Sequence, residues 1–273
     1  MIRVLLLATS VLLSANLAAQ MPSDNELKQL FSMNVALAES GDNDAQMAVC
    51  SAYSYGLGTA PSAGQALAFC SLAAKAGIPR AQLLVADAYL QGSGTEPDVA
   101  AASYWYEQAT KTGMAQGHIG LASIYFDLDN VLGTRNLELA AFHAKQAAAA
   151  GSHMGEMYLG IMHFNGFEPG VSEGTEIDYA ASMLWFEKSA QKGNMISAAY
   201  LVNIYASETA HQSPYKAYLW ASVLKKHLPD AYPEDVHFES AALLTSTQRE
   251  AAAEQLLLIE RGWHSLSGAA ASI

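Results

Sequence analysis

The chain has 273 residues, of which 51% are hydrophobic, and its 26 acidic and 14 basic residues give a formal net charge of −12 at pH 7. Such an acidic chain is poorly suited to nucleic acid, because binding to phosphates relies on basic residues. The hydrophobic content, much of it alanine, argues against a disordered chain and is typical of closely packed helices.

The first 19 residues have the pattern of a secretory signal peptide. Arg3 precedes an apolar run over residues 4–13, and the small residues Ala18 and Ala19 follow, with no cysteine beside them to take a lipid. The run is shorter than the roughly 20 residues that a bilayer requires, so we expect cleavage after Ala19 and no membrane span. The pattern predicts an exported, periplasmic protein with no transmembrane segment after signal removal. A secreted protein and a buried N-terminal helix are the alternatives.

Residues 20–40 are predicted to form an N-terminal capping helix. Ser23 and Glu26 have the spacing of a capping box, in which each side chain bonds the backbone N–H of the other residue. A stacked array needs terminal elements that cover its apolar ends, so we expect this helix to pack against the first repeat.

Five glycines mark a repeating unit over residues 41–228. They are Gly41, Gly77, Gly113, Gly151 and Gly193, spaced 36, 36, 38 and 42 residues apart. Twelve positions after them stand Tyr53, Tyr89, Tyr125, His163 and Tyr205. A period of this size indicates stacked supersecondary units, here 41–76, 77–112, 113–150, 151–192 and 193–228.

Each unit is predicted to contain two helices. Positions 4, 8 and 12 after the opening glycine lie on one stripe of a 3.6-residue period, as in Ala81, Val85 and Tyr89. The second helix follows a preferred N-cap residue in every unit. These residues are Ser62, Asp98, Asn136, Asp178 and Ser213. The sequence therefore predicts an all-α protein of stacked helical hairpins.

Residues 229–262 are predicted to form a C-terminal capping region, and residues 263–273 a tail. Pro229 and Pro233 interrupt the repeat, and Thr245 and Gln248 have a second capping-box spacing. We expect the last helix to begin there and to end at Gly262, because glycine commonly terminates helices.

The two clearest units resemble the Sel-one-like repeat, a relative of the tetratricopeptide repeat. The resemblance rests on Ala38-x-x-Gly41-Asp42-x-x-Ala45-Gln46, Tyr53-x-x-Gly56-x-Gly58 and Gly92-x-Gly94-x-x-x-Asp98-x-x-x-Ala102-x-x-Trp105. It implies a right-handed α-solenoid with a capping helix at each end. Later units depart from the pattern, with Leu128 and Glu208 at positions where a turn glycine is expected. The fourth unit also carries an insertion between Phe167 and Asp178.

Both cysteines lie in the first unit. Cys50 and Cys70 are at similar distances from the midpoint of the hairpin near Ala60. Two antiparallel helices would bring them opposite each other, and an exported protein permits a disulfide. We therefore predict a disulfide, with a pair of buried thiols as the alternative.

The resemblance also implies a concave groove lined by the first helix of each unit. Positions 6, 10 and 13 after the opening glycine are expected to point into it, from Met47, Ser51 and Ser54 in the first unit to Ala199, Asn203 and Ala206 in the last. Exposed apolar rows mark binding surfaces, and methionine and phenylalanine suit a groove for an amphipathic helix or an extended peptide. The alternative is that the termini or a tightly wound superhelix cover this row. The predicted partner-binding residues are Met47, Leu83, Asp87, Leu90, Ile119, Phe126, Met157, Ile161 and Phe164.

The favoured function is a non-catalytic exported scaffold that binds a protein or peptide in the cell envelope and uses no cofactor. The alternative is a penicillin-binding or β-lactamase-type hydrolase, an activity described for some Sel-one-like proteins. The strings Ser222-x-x-Lys225, Ser23-Asp24-Asn25 and Lys111-Thr112-Gly113 match the three signatures of such enzymes. They occur in the wrong order, and the last should lie on a strand but is predicted to end a helix.

Histidines offer a second kind of chemistry. His143, His153, His163 and Glu156 belong to neighbouring units, and imidazole and carboxylate groups bind zinc. The simpler and favoured interpretation is that histidine occupies aromatic positions of a diverging repeat, so no metal is expected.

Overall fold

A computed structural model describes residues 22–127, 131–167, 176–207, 211–231 and 234–270. The predicted signal peptide, the turn positions Leu128 and Glu208, Pro233 and most of the fourth unit's insertion lie outside these residues. Within them the chain forms thirteen α-helices and one short 3₁₀ helix, and it contains no strand. The predicted all-α fold is therefore confirmed.

The helices follow one another with short connections. In chain order they are α1 (Asp24–Glu39), α2 (Asn43–Tyr55), α3 (Ala63–Lys75), α4 (Pro79–Gln91), α5 (Val99–Lys111), α6 (Ala115–Phe126), α7 (Leu137–Ala149), α8 (His153–Phe164), α9 (Tyr179–Ala190), α10 (Met195–Ala206), α11 (Pro214–His227), the 3₁₀ helix Pro229–Ala231, α12 (Glu234–Ala242) and α13 (Ser246–Ala270).

The chain divides into two compact units. Unit 1 ends at Thr112 and contains α1–α5, and unit 2 begins at Gly113 and contains α6–α13. Within unit 1 each helix packs against the next, as in a repeat solenoid. Unit 2 continues this pattern from α6 to α11, and both α12 and α13 pack against α11.

The predicted helix starts are confirmed by their caps. The five second helices begin where the side chain of Ser62, Asp98, Asn136, Asp178 or Ser213 accepts a hydrogen bond from the backbone N–H three residues later. This bond satisfies one of the free N–H groups at a helix N-terminus, which is why these residue types specify a start. Ser23 and Glu26 form the complete capping box at α1. Thr245 and Gln248 exchange the same bonds before α13.

Alanine lets the helices of unit 1 approach closely. Ala73, Ala74, Ala81 and Ala86 are all at most 1% exposed, and their small side chains leave room for neighbouring backbones. Hydrogen bonds from a side-chain amide to a backbone carbonyl link successive helices within this core. The buried amide of Gln82 donates from Nε2 to the carbonyl oxygen of Ala74 at 3.3 Å, and Gln46 makes the equivalent bond to Ala38.

The second glycine of each turn has two reasons to be glycine. Gly94 has a φ of +80°, and a Cβ at this position would lie 2.5 Å from the backbone carbonyl carbon of Ala63 at the start of α3. Gly58 makes the equivalent close approach to the backbone of Leu27 in α1. In unit 1, the turn of each repeat is therefore packed directly onto the preceding repeat or onto the N-terminal capping helix.

Cys50 and Cys70 form a disulfide that joins α2 to α3, with their Cα atoms 5.0 Å apart. Both residues are buried among Ala73, Ala81 and Val85. The bond closes the first hairpin of the repeat across its apolar interior.

The C-terminal end differs from the expectation. The last helix does not end at Gly262 but continues to Ala270. Glycine inside a helix costs only about 1 kcal/mol relative to alanine, and no proline follows it to stop the helix. Residues 234–242 form an additional helix, α12, that the sequence pattern did not predict. Within the described chain, no helix combines the length and the apolar composition needed to cross a membrane.

Candidate functional site

The predicted binding row is not uniformly exposed. In unit 2, Phe126, Met157 and Ile161 are buried, at 7%, 4% and 8% exposure, so these three side chains do not line an open groove. The reason is that α8, which carries Met157 and Ile161, packs against both α6 and α10. The ring of Phe126 lies edge-on to Tyr158 at 5.8 Å, inside the core of unit 2.

The remaining two predicted partner-binding residues in unit 2 are partly covered. Ile119 and Phe164 are half-buried. The ring of Phe164 contacts Tyr200 of α10 at 5.2 Å and Tyr179 of α9 at 6.0 Å, which explains its burial. The first helices of unit 2 therefore use most of this row for packing within the unit.

Unit 1 leaves its part of the row more accessible. Asp87 is exposed, and Leu83 and Leu90 are half-buried. The three residues are spaced four and three apart on α4, so they share one face of the helix. Met47 is half-buried and packs against the core cluster around the disulfide.

A cavity of about 410 Å³ lies between α2, α3 and α4. Two of the predicted groove positions, Ser54 and Asp87, line it. Its other walls are Tyr53, Pro61, Ser62, Ala63, Ala66, Leu67, Cys70, Leu84, Ala88, Gln91 and Ser93. We refer to Ser54, Leu83, Asp87 and Leu90, together with this cavity, as the unit 1 face.

Asp87 sets the electrostatics of the unit 1 face. It is the one charged residue among those that line the cavity, where hydroxyl, amide and apolar groups make up the rest. The hydroxyl of Tyr106 on α5 donates a hydrogen bond to Oδ1 of Asp87 and so fixes the carboxylate at the cavity wall. The fixed carboxylate can accept a cationic group without paying to order its own side chain.

Unit 2 contains a second cavity, of about 460 Å³, between α10, α11 and α12. Its walls include Ala199, Asn203 and Ala206, which are the predicted groove positions of the fifth repeat. None of the residues that line it is charged; the others are Val202, Ser207, Leu224 and Val236.

A polar network in unit 2 is structural. The hydroxyl of Tyr205 donates to Oε1 of Glu187 at 2.6 Å, and Lys216 donates to the same oxygen at 2.8 Å. Burial and then the bond to Glu187 raise the pKa of Tyr205 to about 12. The phenol is therefore protonated at neutral pH and cannot act as a base there. The bond to Glu187 likewise raises the pKa of Lys216.

The zinc site that the sequence analysis gave as the less favoured interpretation does not form among the described residues. Within the described residues, no group of three or more histidine, cysteine, aspartate or glutamate side chains could hold a metal ion. His143 instead pairs with His118, whose Nδ1 lies 2.9 Å from its own, and stacks on Tyr125. Desolvation, together with the charge of His118, lowers the pKa of His143 to about 4, so this ring is neutral at pH 7.

Sequence reasoning missed His118. It stands five residues after Gly113, the position that Gln46 and Gln82 occupy in the first two repeats. That correspondence was the available signal, because both glutamines bond to the preceding helix. His118 likewise pairs with another helix of its unit, α7, through His143.

The three hydrolase strings do not acquire catalytic geometry. Ser222 lies within α11, where its hydroxyl donates to the carbonyl oxygen of Tyr218 at 2.7 Å. Its proton is therefore directed to the backbone and not to His237, whose Nε2 is 3.3 Å away. Ser23 caps α1, and Lys111 lies at the end of α5. Ser222, Ser23 and Lys111 are thus parts of three separate helix segments, and they do not form a catalytic site.

A family model described as the Sel1 repeat matches residues 43–78, 79–113, 115–152 and 153–194, which is more than half of the chain. These residues contain the helix pairs from α2 to α9, and the pair α10–α11 follows the matched part. A search of curated proteins found no match to the chain.

A solved structure shares the fold, and two others align with lower TM-scores. A Sel1 repeat protein from Oxalobacter formigenes aligns with a TM-score of 0.61 and 21% identity, covering 73% of this chain and 79% of its own. The protective antigen c5321 of uropathogenic Escherichia coli, described as displaying an SLR fold, aligns with a TM-score of 0.48 and 18% identity, over 92% of this chain and 65% of its own. A Pseudomonas aeruginosa protein, PA5086, aligns with a TM-score of 0.40 and 14% identity, over 82% and 74%.

Proposed function

Because this chain belongs to the Sel1 repeat family, we propose that it is a non-catalytic scaffold that binds a segment of a partner protein on the unit 1 face. Sel1 repeats typically mediate contacts between proteins. The observation that carries the proposal is the 410 Å³ cavity beside the accessible row of α4, with Asp87 fixed at its wall. Its volume lies within the range of small-ligand sites, which leaves room for a side chain of the partner.

The residues of the unit 1 face define the chemistry of the partner segment. Leu83 and Leu90 offer apolar area on either side of the carboxylate of Asp87 along one face of α4. A segment with apolar residues flanking a lysine or arginine would match this order. The apolar contacts supply most of the affinity, and the charge pair selects the partner and accelerates encounter.

The proposed location is the cell envelope. Two observations favour it: the signal-like pattern of residues 1–19 and the disulfide between Cys50 and Cys70. Disulfides persist in oxidising compartments and are rare in the cytosol, where thiols are kept reduced. The partner is accordingly proposed to be a protein or peptide of the same compartment.

The test is capture of partner proteins from the native envelope by the wild-type chain and by a double variant, Leu83→Asp/Leu90→Asp. Two added carboxylates would be desolvated in any apolar contact, so we expect capture to fall by about 10-fold or more. Leu72→Asp is the matched control, because Leu72 is an exposed leucine on α3 of the same unit and does not line the cavity. Helical circular dichroism must be the same for all three proteins.

An isosteric variant separates charge from shape. Asp87→Asn keeps the hydrogen-bond acceptor for Tyr106 but removes the negative charge. In selection from a random peptide library, the wild-type chain should enrich basic residues flanked by apolar ones, and Asp87→Asn should lose only the basic preference. Equal capture by the double variant and by wild type would place the binding surface elsewhere.

A further inference from the structure

A cluster of metal-binding atom types lies at the start of α8, apart from the unit 1 face. Nδ2 of Asn194 is 3.2 Å from Nδ1 of His153, 3.5 Å from Sδ of Met154 and 3.5 Å from Sδ of Met157. One imidazole nitrogen and two thioether sulfurs therefore surround a single point. We refer to His153, Met154 and Met157 as the His–Met cluster.

The amide of Asn194 cannot satisfy all three atoms. Its Oδ1 accepts a hydrogen bond from the backbone N–H of Ser197 at 2.9 Å and caps α10, which directs the NH₂ group toward the His–Met cluster. That group has two hydrogens for three acceptors. More electron-pair donors converge on this point than one amide can use, an arrangement that a cation would satisfy better.

A buried carboxylate, paired with one lysine, lies beside the cluster. Glu156 is on the same turn of α8 and is 5% exposed. Lys192 donates to its Oε1 at 2.7 Å, but within the described part of the chain Oε2 has no hydrogen-bond partner. An unpaired buried carboxylate oxygen is unfavourable, and a nearby cation would lower that cost.

We propose that the His–Met cluster binds Cu(I) through Nδ1 of His153 and the sulfurs of Met154 and Met157. Neutral thioether and imidazole ligands suit a soft monovalent ion, whereas calcium and magnesium take oxygen ligands. Nδ1 of His153 is the unprotonated imidazole nitrogen, because it accepts a hydrogen bond from the amide of Asn194. The proton of the neutral ring therefore resides on Nε2. His153 is exposed while Met157 is 4% exposed, so the ion enters past the imidazole ring.

Asn194 occupies the centre of the site in the metal-free protein. Binding requires its NH₂ group to leave the cluster, and the donor atoms then close on the ion from their present distances of 3.2–3.5 Å. The amide is thus a competitor of the metal, and its removal should tighten binding.

The experiment is anaerobic competition for Cu(I) between the full chain and the chromophoric chelator bicinchoninate. We expect uptake of about one equivalent, and Met154→Leu and Met157→Leu should each weaken binding by at least about 10-fold, the lower end of what losing even a supporting residue costs a metal site. Met162→Leu is the matched control, because Met162 is a buried methionine of the same helix outside the cluster. Methionine-to-leucine changes keep the volume and are well tolerated in cores.

Asn194→Ser tests the competition directly. Serine retains a preferred N-cap for α10 but removes the amide from the centre of the cluster, so Cu(I) affinity should rise. The proposal is overturned if the wild-type chain takes no Cu(I) from bicinchoninate, if the two leucine variants bind as tightly as Met162→Leu, or if Asn194→Ser weakens binding or leaves it unchanged. Helical circular dichroism confirms that each variant is folded.

Discussion

Two glycines of unit 1 are required for different reasons: one for its backbone conformation alone, the other also because there is no space for a side chain. Gly77 and Gly94 have φ values of +89° and +80°, which L-residues rarely adopt. A Cβ at Gly77 would meet nothing within 4 Å, whereas a Cβ at Gly94 would collide with the backbone of Ala63. Gly77 therefore needs only the left-handed conformation, and Gly94 needs that conformation and the missing side chain.

Replacing each glycine by alanine should show this difference. Gly77→Ala should lower the free energy of unfolding by about 1 kcal/mol, the cost of the left-handed conformation. Gly94→Ala should cost at least about 2 kcal/mol more, because backbone must move to relieve the clash. Urea denaturation of the two variants and wild type measures both values. Equal losses for the two variants would show that the turn does not pack on the start of α3.

At the residue scale, local chemistry was predictable and long-range burial was not. The caps at Ser62 and Asp98 follow from hydrogen bonds within four residues, so the residue type alone specifies them. The burial of Phe126 and Met157 depends on how closely α6, α8 and α10 approach. Nothing within one repeat encodes that distance. Gly160, where an added Cβ would collide with the ring of Phe186, instead allows close packing of α8 on α9 within one repeat.

At the element scale, one repeat position links the first helix of four repeats to its surroundings by a polar contact, and the fifth repeat has Ala198 there. Five residues after the opening glycine stand Gln46 and Gln82 in unit 1, and His118 and Glu156 in unit 2. The glutamines bond to the end of the preceding helix, His118 bonds to His143, and Glu156 bonds to Lys192. The partner changes as the repeat diverges, but the buried or partly buried position retains a polar contact, as burial of a polar group requires.

The long C-terminal helix is attached to unit 2 by a second polar contact. Glu260 of α13 is 9% exposed and accepts hydrogen bonds from Lys226 at 2.7 Å and from His227 at 2.8 Å, both at the end of α11. The hydrogen bond from Lys226 lowers the pKa of Glu260 below its ordinary value, and this effect outweighs desolvation, which would raise the pKa. Trp263, one turn later, packs against His227 with ring centroids 5.0 Å apart.

The attachment should depend on pH. Because the pKa of Glu260 is lowered by folding, its contribution is complete above the ordinary glutamate pKa of about 4.3 and is lost as the pH falls through the lowered value. At pH 7, Glu260→Gln should lower stability on the order of 1 kcal/mol and increase hydrogen exchange in α13. Glu254→Gln, an exposed residue of the same helix, should change neither. The assignment is wrong if both variants behave alike, or if the difference between Glu260→Gln and wild type persists under strongly acidic conditions.

The ends of this helix show the same division between local and non-local information. The start of α13 was predictable from Thr245 and Gln248, whose bonds are local. Its continuation past Gly262 was not, since glycine stops a helix only where a left-handed cap forms, and here the helix continues to Ala270. The helix α12 was hidden by the two prolines that precede it, Pro229 and Pro233.

At the scale of the whole molecule, the repeats build a framework and leave recognition to a few positions. The all-α fold and the helix pairs followed from the period of the glycines and the five caps. The binding face did not, because unit 2 uses its apolar row for its own core, while unit 1 retains the cavity and Asp87. A net charge of −12 also favours a basic partner segment over an acidic one, which is the charge that Asp87 selects locally.

The central claim is that a partner protein binds at the unit 1 face, and site-specific photo-crosslinking in the native envelope tests it most directly. A photoreactive residue replaces Gln91, an exposed residue that lines the cavity, or Tyr104, an exposed residue of α5 that does not. The account predicts discrete crosslinked products from position 91, lost in the Leu83→Asp/Leu90→Asp background, and none from position 104. Products from position 104 alone, or products from position 91 that survive the double substitution, would contradict it.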